Sequence, residues 1–151
     1  MTQAPYIEEY TIQAGDFTAI GEAATRFKST LKMLGISSEA VRRAAVVAYE
    51  GEMNALIHGG GGTVKMTIHG DHLVIEVTDN GPGIPDISLA MQEGYSTATD
   101  EIRELGFGAG MGLPNIDRNS DSMTIDTEIG KGTTLRAVIR FSPREAAARA
   151  V

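Results

Sequence analysis

The stretch VTDNGPGIPD, residues 77–86, places a carboxylate at the end of an apolar strand and follows it with two glycines around a proline. The carboxylate belongs to Asp79, and the glycines are Gly81 and Gly83. A strand end holds a side chain in place, and glycines leave the neighbouring backbone bare, which suits a nucleotide pocket. DNG is also a common sequence in surface turns, so this stretch alone leaves both interpretations open.

A second stretch, GFGAGMGLPNI at residues 106–116, favours phosphate binding. Four glycines alternate with other residues, and a helix start follows them. Bare N–H groups and the positive end of a helix both attract an anion. The GxxxxGK[ST] pattern of a Walker loop is absent, and no Rossmann-type strand precedes the glycines. The alternative is a flexible glycine-rich loop without a ligand.

A third set of polar residues lies in the stretch ISSEAVRRAAVVAYEGEMNALIHGGGG, which predicts a long helix. Ser37 or Ser38 caps its start, and the four glycines at residues 59–62 end it. Glu50, Asn54 and His58 are four residues apart, so the helix projects them from one side. A solvated polar flank would show the same spacing, and the triplet alone does not decide between the two.

The same helix carries an apolar stripe and an internal glycine. The 3,4 spacing predicts that the stripe packs against the core, and it consists of Val46, Tyr49, Met53 and Leu56. Gly51 costs about 1 kcal/mol relative to alanine inside a helix. It therefore either admits a close neighbour or is simply tolerated.

The remaining pattern predicts a strand over 5–14 and a helix over 17–34, which Asp16 caps and Gly35 ends. A hairpin of TVKMTI and LVIEVTD follows, then a short helical segment over 85–92, a mobile loop over 93–110 and a short helix near 111–119. The strands SMTIDTE and TTLRAVIRF are joined by the turn IGKGT. Helices segregated from strands predict an α+β fold: a two-layer sandwich of a mixed, mainly antiparallel sheet covered on one face by helices. A single domain is expected over 1–141, with a frayed tail over 142–151.

Composition excludes several classes of function. The chain has 151 residues, of which 42% are hydrophobic and 22% charged, as in an ordinary globular domain. The net charge of −7 argues against nonspecific binding to nucleic acid or to an anionic membrane. Cysteine is absent, which excludes disulfides, iron–sulfur sites and zinc–thiolate sites. Neither a signal peptide nor an apolar stretch of spanning length is recognisable, so a cytoplasmic location is expected.

The order of four sequence blocks adds a more specific indication. EGEMNALIH, DNGPGIPD, GFGAGMGLPNI and GKGTTL follow one another, and the pattern extends over about residues 10–141. This order resembles the gyrase, histidine kinase and MutL ATPase superfamily. Within the superfamily, the chain is most similar to the small bacterial anti-sigma factors and switch protein kinases that act on serine or threonine. The segment PDISLAMQEGYST is especially similar to that of the switch kinases.

This resemblance implies the histidine-kinase-like ATPase fold and a regulatory serine/threonine kinase. The kinase would use ATP and Mg²⁺ to phosphorylate a small antagonist protein, releasing ADP. A sigma factor or another effector is an implied second partner, and a homodimer is an open possibility because related anti-sigma factors form one. Two alternatives remain: a noncatalytic ATP-dependent binding switch, and a stand-alone histidine-kinase catalytic domain. Neither nucleic acid nor a membrane is expected as a direct partner.

The resemblance also implies roles for individual residues. Glu50 would be the general base, Asn54 would bind Mg²⁺ through its amide oxygen, and Asp79 would accept a hydrogen bond from the adenine amino group. Thr133 would help to hold Asp79 or a water that bridges to the base. The glycines of the third block would wrap the phosphates, and Gly81 and Gly83 would lie under the purine. The other implied nucleotide contacts are His58, Ile84, Gly106, Gly108, Gly110, Met111, Gly112 and Leu113.

Other polar residues have two interpretations each. His58 could touch phosphate or cap the end of its helix. His69 and His72 have metal-like spacing but flank a turn and lack a third ligand. Arg103 and Lys131 are either phosphate contacts or exposed solubilising charges.

Overall fold

The computed structural model describes residues 5–58, 60–92 and 112–142. Within these ranges the chain forms five strands, four α-helices and a short 3₁₀ turn at Phe17–Ala19. The strands are β1 (Tyr6–Ile12), β2 (Gly62–Ile68), β3 (His72–Asp79), β4 (Ser122–Glu128) and β5 (Gly132–Arg140). The helices are α1 (Glu22–Met33), α2 (Ser38–Ile57), α3 (Ile87–Ala90) and α4 (Gly112–Arg118). The predicted loop over 93–110 and most of the predicted tail lie outside the described residues.

The strands form one sheet in the order β1-β2-β3-β5-β4. A mixed sheet was expected, but all four pairings among the described strands are antiparallel. Alternation along each strand separates two faces. One face contributes buried side chains such as Val64, Ile75 and Ile139 to the core beneath the helices. On the other face Glu76 lies between Lys65 and Arg136, at 3.6 Å from each. The predicted two-layer α+β fold is confirmed.

Helix α2 lies over the centre of the sheet, and small residues allow its close approach. Its buried face is rich in alanine, and Gly51 stands directly above β3. A Cβ atom at Gly51 would lie only 2.6 Å from Cγ2 of the buried Val77. The interpretation that Gly51 admits a close neighbour is therefore correct. Glycine lowers the helix propensity of α2, but any side chain at this position would prevent the tight packing of α2 on β3.

The predicted apolar stripe of α2 is only partly buried. Met53 and Leu56 are buried, whereas Val46 is half-buried and Tyr49 is exposed. The helix buries a neighbouring face instead, since alanine and glycine fit closer to the sheet than tyrosine can. This face comprises Ala40, Ala44, Val47, Ala48, Gly51 and Ala55.

The helix predicted over 17–34 is interrupted at its start. Asp16 does cap a turn, because its carboxylate accepts from Thr18 N at 3.2 Å, but that turn is a 3₁₀ segment. Helix α1 then begins after Gly21, whose φ of 89° breaks the helical path. Glu52 of α2, which is only 6% exposed, accepts a hydrogen bond from Gly21 N at 3.2 Å. A buried carboxylate from another helix therefore takes the place of a local cap.

Other predicted boundaries are confirmed. Ser37 caps α2 by accepting from Ala40 N at 3.3 Å, and Gly35 follows α1 with a φ of 74°. The helical segment over 85–92 is the single turn α3, which Asp86 caps. Among the helices in the described ranges, none combines the length and apolar character needed to cross a bilayer.

Candidate functional site

Asp79 ends β3 on the helix-facing side of the sheet, as Val77 does two residues earlier. Its backbone is enclosed by glycines of both neighbouring strands. A Cβ at Gly62 of β2 would lie 3.0 Å from the Asp79 Cα, and a Cβ at Gly132 of β5 would lie 2.1 Å from the Asp79 carbonyl oxygen. Both glycines have positive φ, at 155° and 118°. The sheet therefore fixes the Asp79 backbone tightly at this edge.

One oxygen of the Asp79 carboxylate accepts a hydrogen bond from the backbone. Oδ1 accepts a hydrogen bond from Gly81 N at 2.9 Å, which makes the turn after β3. Within the part of the chain that the structure describes, this is the only hydrogen bond of that carboxylate. Oδ2 is therefore available to a ligand that donates a hydrogen bond.

The glycine turn after Asp79 is fastened to the β4–β5 hairpin. Thr127 Oγ1 accepts from Ile84 N at 2.8 Å and lies 2.9 Å from the hydroxyl of Thr133. Gly83 packs so closely that its Cβ would lie 2.7 Å from the Glu128 carbonyl oxygen. Because glycine has no Cβ and tolerates a positive φ, it permits this close packing. The structure places Thr133 beside Asp79 across the β3–β5 ladder, and its hydroxyl contacts that of Thr127.

The polar side of α2 faces the start of α4. Glu50 and Asn54 are half-buried, and His58 at the helix end is exposed. Asn115 of α4 donates from Nδ2 to Glu50 Oε1 at 3.4 Å. Asn54 lies against Gly112, the last glycine of the third block, where a Cβ would be 2.9 Å from the Asn54 Oδ1. The triplet is therefore more than a solvated flank, because two of its members contact the helix that follows the glycine block.

Burial governs the ionisation of this polar side. Desolvation raises the pKa of Glu50, and the hydrogen bond from Asn115 opposes that rise. Desolvation also lowers the pKa of His58, although part of the residue reaches solvent, and the negative charge of Asp79 opposes the change. A carboxylate with a raised pKa is a better proton acceptor than an exposed one. The His58–Asp79 interaction also shows that the end of α2 lies close to the end of β3.

Gly112 allows a direct test of the Asn54 position. We expect Gly112→Ala to fold, because the three atoms nearest to the added methyl group all belong to the end of the Asn54 side chain, yet to push the Asn54 amide away. Any ligand held by that amide should bind more weakly, by about tenfold for the loss of one buried polar contact. Calorimetry with ATP in the presence and absence of Mg²⁺ would measure the effect. Equal affinities for the variant and the unmutated protein would show that this contact is irrelevant to the nucleotide.

The structure brings some predicted residues together and leaves others untested. Asp79, Gly81, Gly83, Ile84 and Thr133 form one cluster at the sheet edge. Glu50 and Asn54 meet the first residues of α4, where Gly112 and Leu113 lie. Gly106, Gly108, Gly110, Met111 and Arg103 lie outside the described residues. Lys131 is exposed and pairs with Glu128 at 3.1 Å.

His69 and His72 stack with ring centroids 4.5 Å apart, and His72 contacts Asp71 at 2.6 Å. In the described ranges no group of three or more histidine or acidic side chains is arranged to hold a metal ion.

Two site residues were missed from the sequence. Thr127 anchors the glycine turn, and its place opposite Thr133 follows from the two-residue alternation around the IGKGT turn. Asn115 contacts Glu50 from a helix whose packing partner no local pattern specifies. Its only sequence signal is a polar residue one turn after Gly112.

The chain is similar to a known protein family and to several known proteins. The family described as "Histidine kinase-, DNA gyrase B-, and HSP90-like ATPase" matches residues 41–143. An anti-sigma F factor of Thermoanaerobacter pseudethanolicus (strain ATCC 33223 / 39E) is 35% identical over 99 residues, covering 66% of this chain and 62% of that protein. The serine/threonine-protein kinase RsbT of Bacillus subtilis (strain 168) is 30% identical over 115 residues, covering 74% of this chain and 80% of the kinase.

Solved structures share the fold. The RsbU and RsbW domains of a Mycobacterium tuberculosis protein align with a TM-score of 0.63 at 17% identity, over 90% of this chain and 32% of that chain. The nucleotide-free catalytic domain of the histidine kinase ThkA aligns with a TM-score of 0.52 at 15% identity, over 93% and 99% of the two chains. The chain spans about three fifths of the anti-sigma F factors that it matches. The resemblance inferred from the four blocks is confirmed, and the chain belongs to the histidine kinase-, DNA gyrase B- and HSP90-like ATPase family.

Proposed function

We propose that this protein is an ATP-dependent serine/threonine kinase of the anti-sigma-factor or switch-kinase type. The observation that supports the proposal most is the pairing of Glu50 and Asn54 at the start of α4. A proton acceptor with a raised pKa and an amide oxygen lie one helical turn apart, beside the last glycine of the third block. A protein that only bound nucleotide would have no need of the first group.

The donor set suits Mg-ATP. The adenine amino group needs an acceptor, and Oδ2 of Asp79 is available for it. Mg²⁺ prefers hard oxygen ligands and takes few of them from protein, so the single amide oxygen of Asn54 is enough beside a triphosphate. A side chain at Gly112 would intrude on that oxygen, and glycine keeps the place clear. Among the other proposed nucleotide contacts are His58, Gly81, Gly83, Ile84, Leu113 and Thr133.

The residues of the chain would act by position and proton transfer. Mg-ATP supplies the activated phosphoryl group and the charge neutralisation that phosphoryl transfer requires. Glu50 takes the proton of the acceptor hydroxyl as that oxygen bonds to the γ-phosphorus and the bond to the ADP oxygen breaks. Desolvation strengthens the carboxylate as a base, and Asn115 holds one of its oxygens. Asn54 and Asp79 fix the two ends of the nucleotide.

The proposed acceptor is a serine or threonine of a small antagonist protein. The relatives named anti-sigma F factor and serine/threonine-protein kinase RsbT support this choice, as does the short kinase-like segment PDISLAMQEGYST. A sigma factor or another effector is the proposed second partner, held in a complex that phosphorylation of the antagonist controls.

The test is a transfer assay with γ-labelled ATP and small proteins encoded by neighbouring genes. We expect label on serine or threonine of one of them, and none when Mg²⁺ is chelated. Label on histidine would instead favour a histidine-kinase catalytic domain acting on a separate partner. ATP-controlled binding of a partner without any transfer would overturn the kinase proposal in favour of a noncatalytic switch.

A further inference from the structure

Helix α4 packs antiparallel against α2, and three side-chain contacts connect α2 with residues 112–119. Arg43 Nε donates to the Asn119 carbonyl at 3.1 Å, Glu50 meets Asn115 at 3.4 Å, and Asn54 lies against Gly112. From one contact to the next, the residue number on α2 increases by seven and then by four, while the residue number on the facing segment decreases by four and then by three. The two helices therefore run in opposite directions. Seven residues are about two helical turns, so all three contacts lie on one side of α2.

The end of α4 away from Gly112 is anchored firmly. Arg43 also pairs with Asp121 at 3.3 Å, and the same Asp121 oxygen accepts from Arg140 N of β5 at 2.7 Å. Just after the end of α4, Asn119 Nδ2 donates back to the Asn115 carbonyl at 2.8 Å. The side chain of Ile116, next to Asn115, is fully buried. The backbone that carries Asn115 is therefore held both to the sheet and to the core.

The Glu50 carboxylate, by contrast, has few restraints. In the described ranges, its one side-chain hydrogen bond comes from Asn115, and no cation forms an ion pair with it. A base that must meet a hydroxyl needs one defined orientation, because misplacement of a reacting group by about 1 Å can cost about a hundredfold in rate. An amide donor on a rigid helix can supply that orientation without neutralising the carboxylate.

We infer that Asn115 is a positioning residue for Glu50: it binds Oε1 and leaves Oε2 to take the proton from the acceptor hydroxyl. This inference rests on the proposed function of Glu50 as the base. It adds a residue from outside α2 to the reaction, and it makes the Asn115–Glu50 contact a determinant of rate rather than of nucleotide affinity.

The kinetic test compares Asn115→Ala with Asn119→Ala, the same change four residues later, just after the end of α4. We expect Asn115→Ala to lower kcat of transfer, or of slow ATP hydrolysis, by about tenfold to a hundredfold. ATP affinity by calorimetry should stay unchanged. Asn119→Ala removes the side-chain bond to the Asn115 carbonyl but keeps the main-chain carbonyl that Arg43 holds and the buried Ile116, so kcat should stay close to the unmutated value. In a Glu50→Gln background, Asn115→Ala should have no further effect on kcat, because the group that it positions is gone. Equal losses in both backgrounds would overturn the inference.

A second test detects the contact without any need for activity. Asn115→Asp removes the donor and opposes two carboxylates, so thermal stability should fall. Adding Glu50→Gln restores a donor–acceptor pair with reversed polarity and should recover about 2–4 °C of the lost Tm. Failure of that recovery would show that the side chains do not touch, whatever Glu50 does. Recovery together with a fully active Glu50→Gln variant would instead preserve the contact and overturn the proposed base.

Discussion

Glu50→Gln should abolish most phosphoryl transfer while ATP binds almost as tightly as before. Glutamine keeps the length and helix propensity of glutamate, and its amide still offers an oxygen to Asn115 Nδ2. It cannot accept the proton of the attacking hydroxyl. A general base contributes ~10²–10⁴-fold in rate, so transfer to the partner should fall by about that factor. Single-turnover transfer of label, together with calorimetry for affinity, separates the two quantities.

Glu52→Gln is the matched control for this change. Glu52 lies two residues further along α2, about 200° around the helix from Glu50, and is buried where it accepts from Gly21 N. The same neutralisation therefore falls on the opposite side of the same helix, and glutamine keeps the oxygen that Gly21 needs. Transfer by this variant should match that of the unmutated protein. Full activity of Glu50→Gln, or equal losses in both variants, would exclude Glu50 as the base.

The pH dependence of transfer should identify the same group. Burial raises the pKa of Glu50, so the carboxyl group takes up its proton at a higher pH than an exposed glutamate does. A protonated carboxyl cannot act as a base, and transfer should decline as the pH falls through this raised pKa. The residual activity of Glu50→Gln should lack this acidic limb, since no proton acceptor remains to be titrated. An identical limb in both proteins would assign it to another group.

The elements of this fold could be predicted largely because each carries a local signal. Ser37 before a periodic run, and Gly35 after one, are caps that act within a few residues. The exceptions share one physical cause. Gly21 begins α1 with the help of Glu52, which is 31 residues away, and no local pattern encodes that hydrogen bond. Tyr49 is similarly left out of the core, where alanine and glycine of α2 pack instead. The sheet approaches α2 too closely for an aromatic ring to fit between them.

The residues of the candidate site likewise fall into those with a local sequence signal and those without one. Asp79 and the glycines after it could be predicted because strand, carboxylate and turn are adjacent in the sequence. Glu50 and Asn54 followed from helical spacing. What the sequence could not supply is the pairing between distant elements: Thr127 under Ile84, and Asn115 against Glu50. Such contacts depend on the register between strands and on the axial position of one helix relative to another. Both are determined by the packing of the whole chain.

Asp79→Asn should weaken ATP binding tenfold or more and reduce the preference for adenine. In the present geometry, Oδ1 accepts from Gly81 N, which leaves Oδ2 for the adenine amino group. Asparagine would keep its single oxygen on Gly81 N and turn its amide nitrogen toward the base, so that two donors face each other. A buried mispaired polar group costs about 1–3 kcal/mol, and ~1.4 kcal/mol corresponds to a factor of ten in affinity.

Inosine triphosphate makes this prediction specific. Its base carries an oxygen where adenine has the amino group, so the Asp79 carboxylate should repel it and the amide nitrogen of Asp79→Asn should bind it. The variant should therefore lose affinity for ATP and gain relative affinity for inosine triphosphate, measured by calorimetry with both nucleotides. Asp126→Asn, an exposed position on the helix-free face of β4, is the matched control and should change neither affinity. A parallel loss for both nucleotides would mean that Asp79 stabilises the turn through Gly81 without contacting the base, and the adenine assignment would then be wrong.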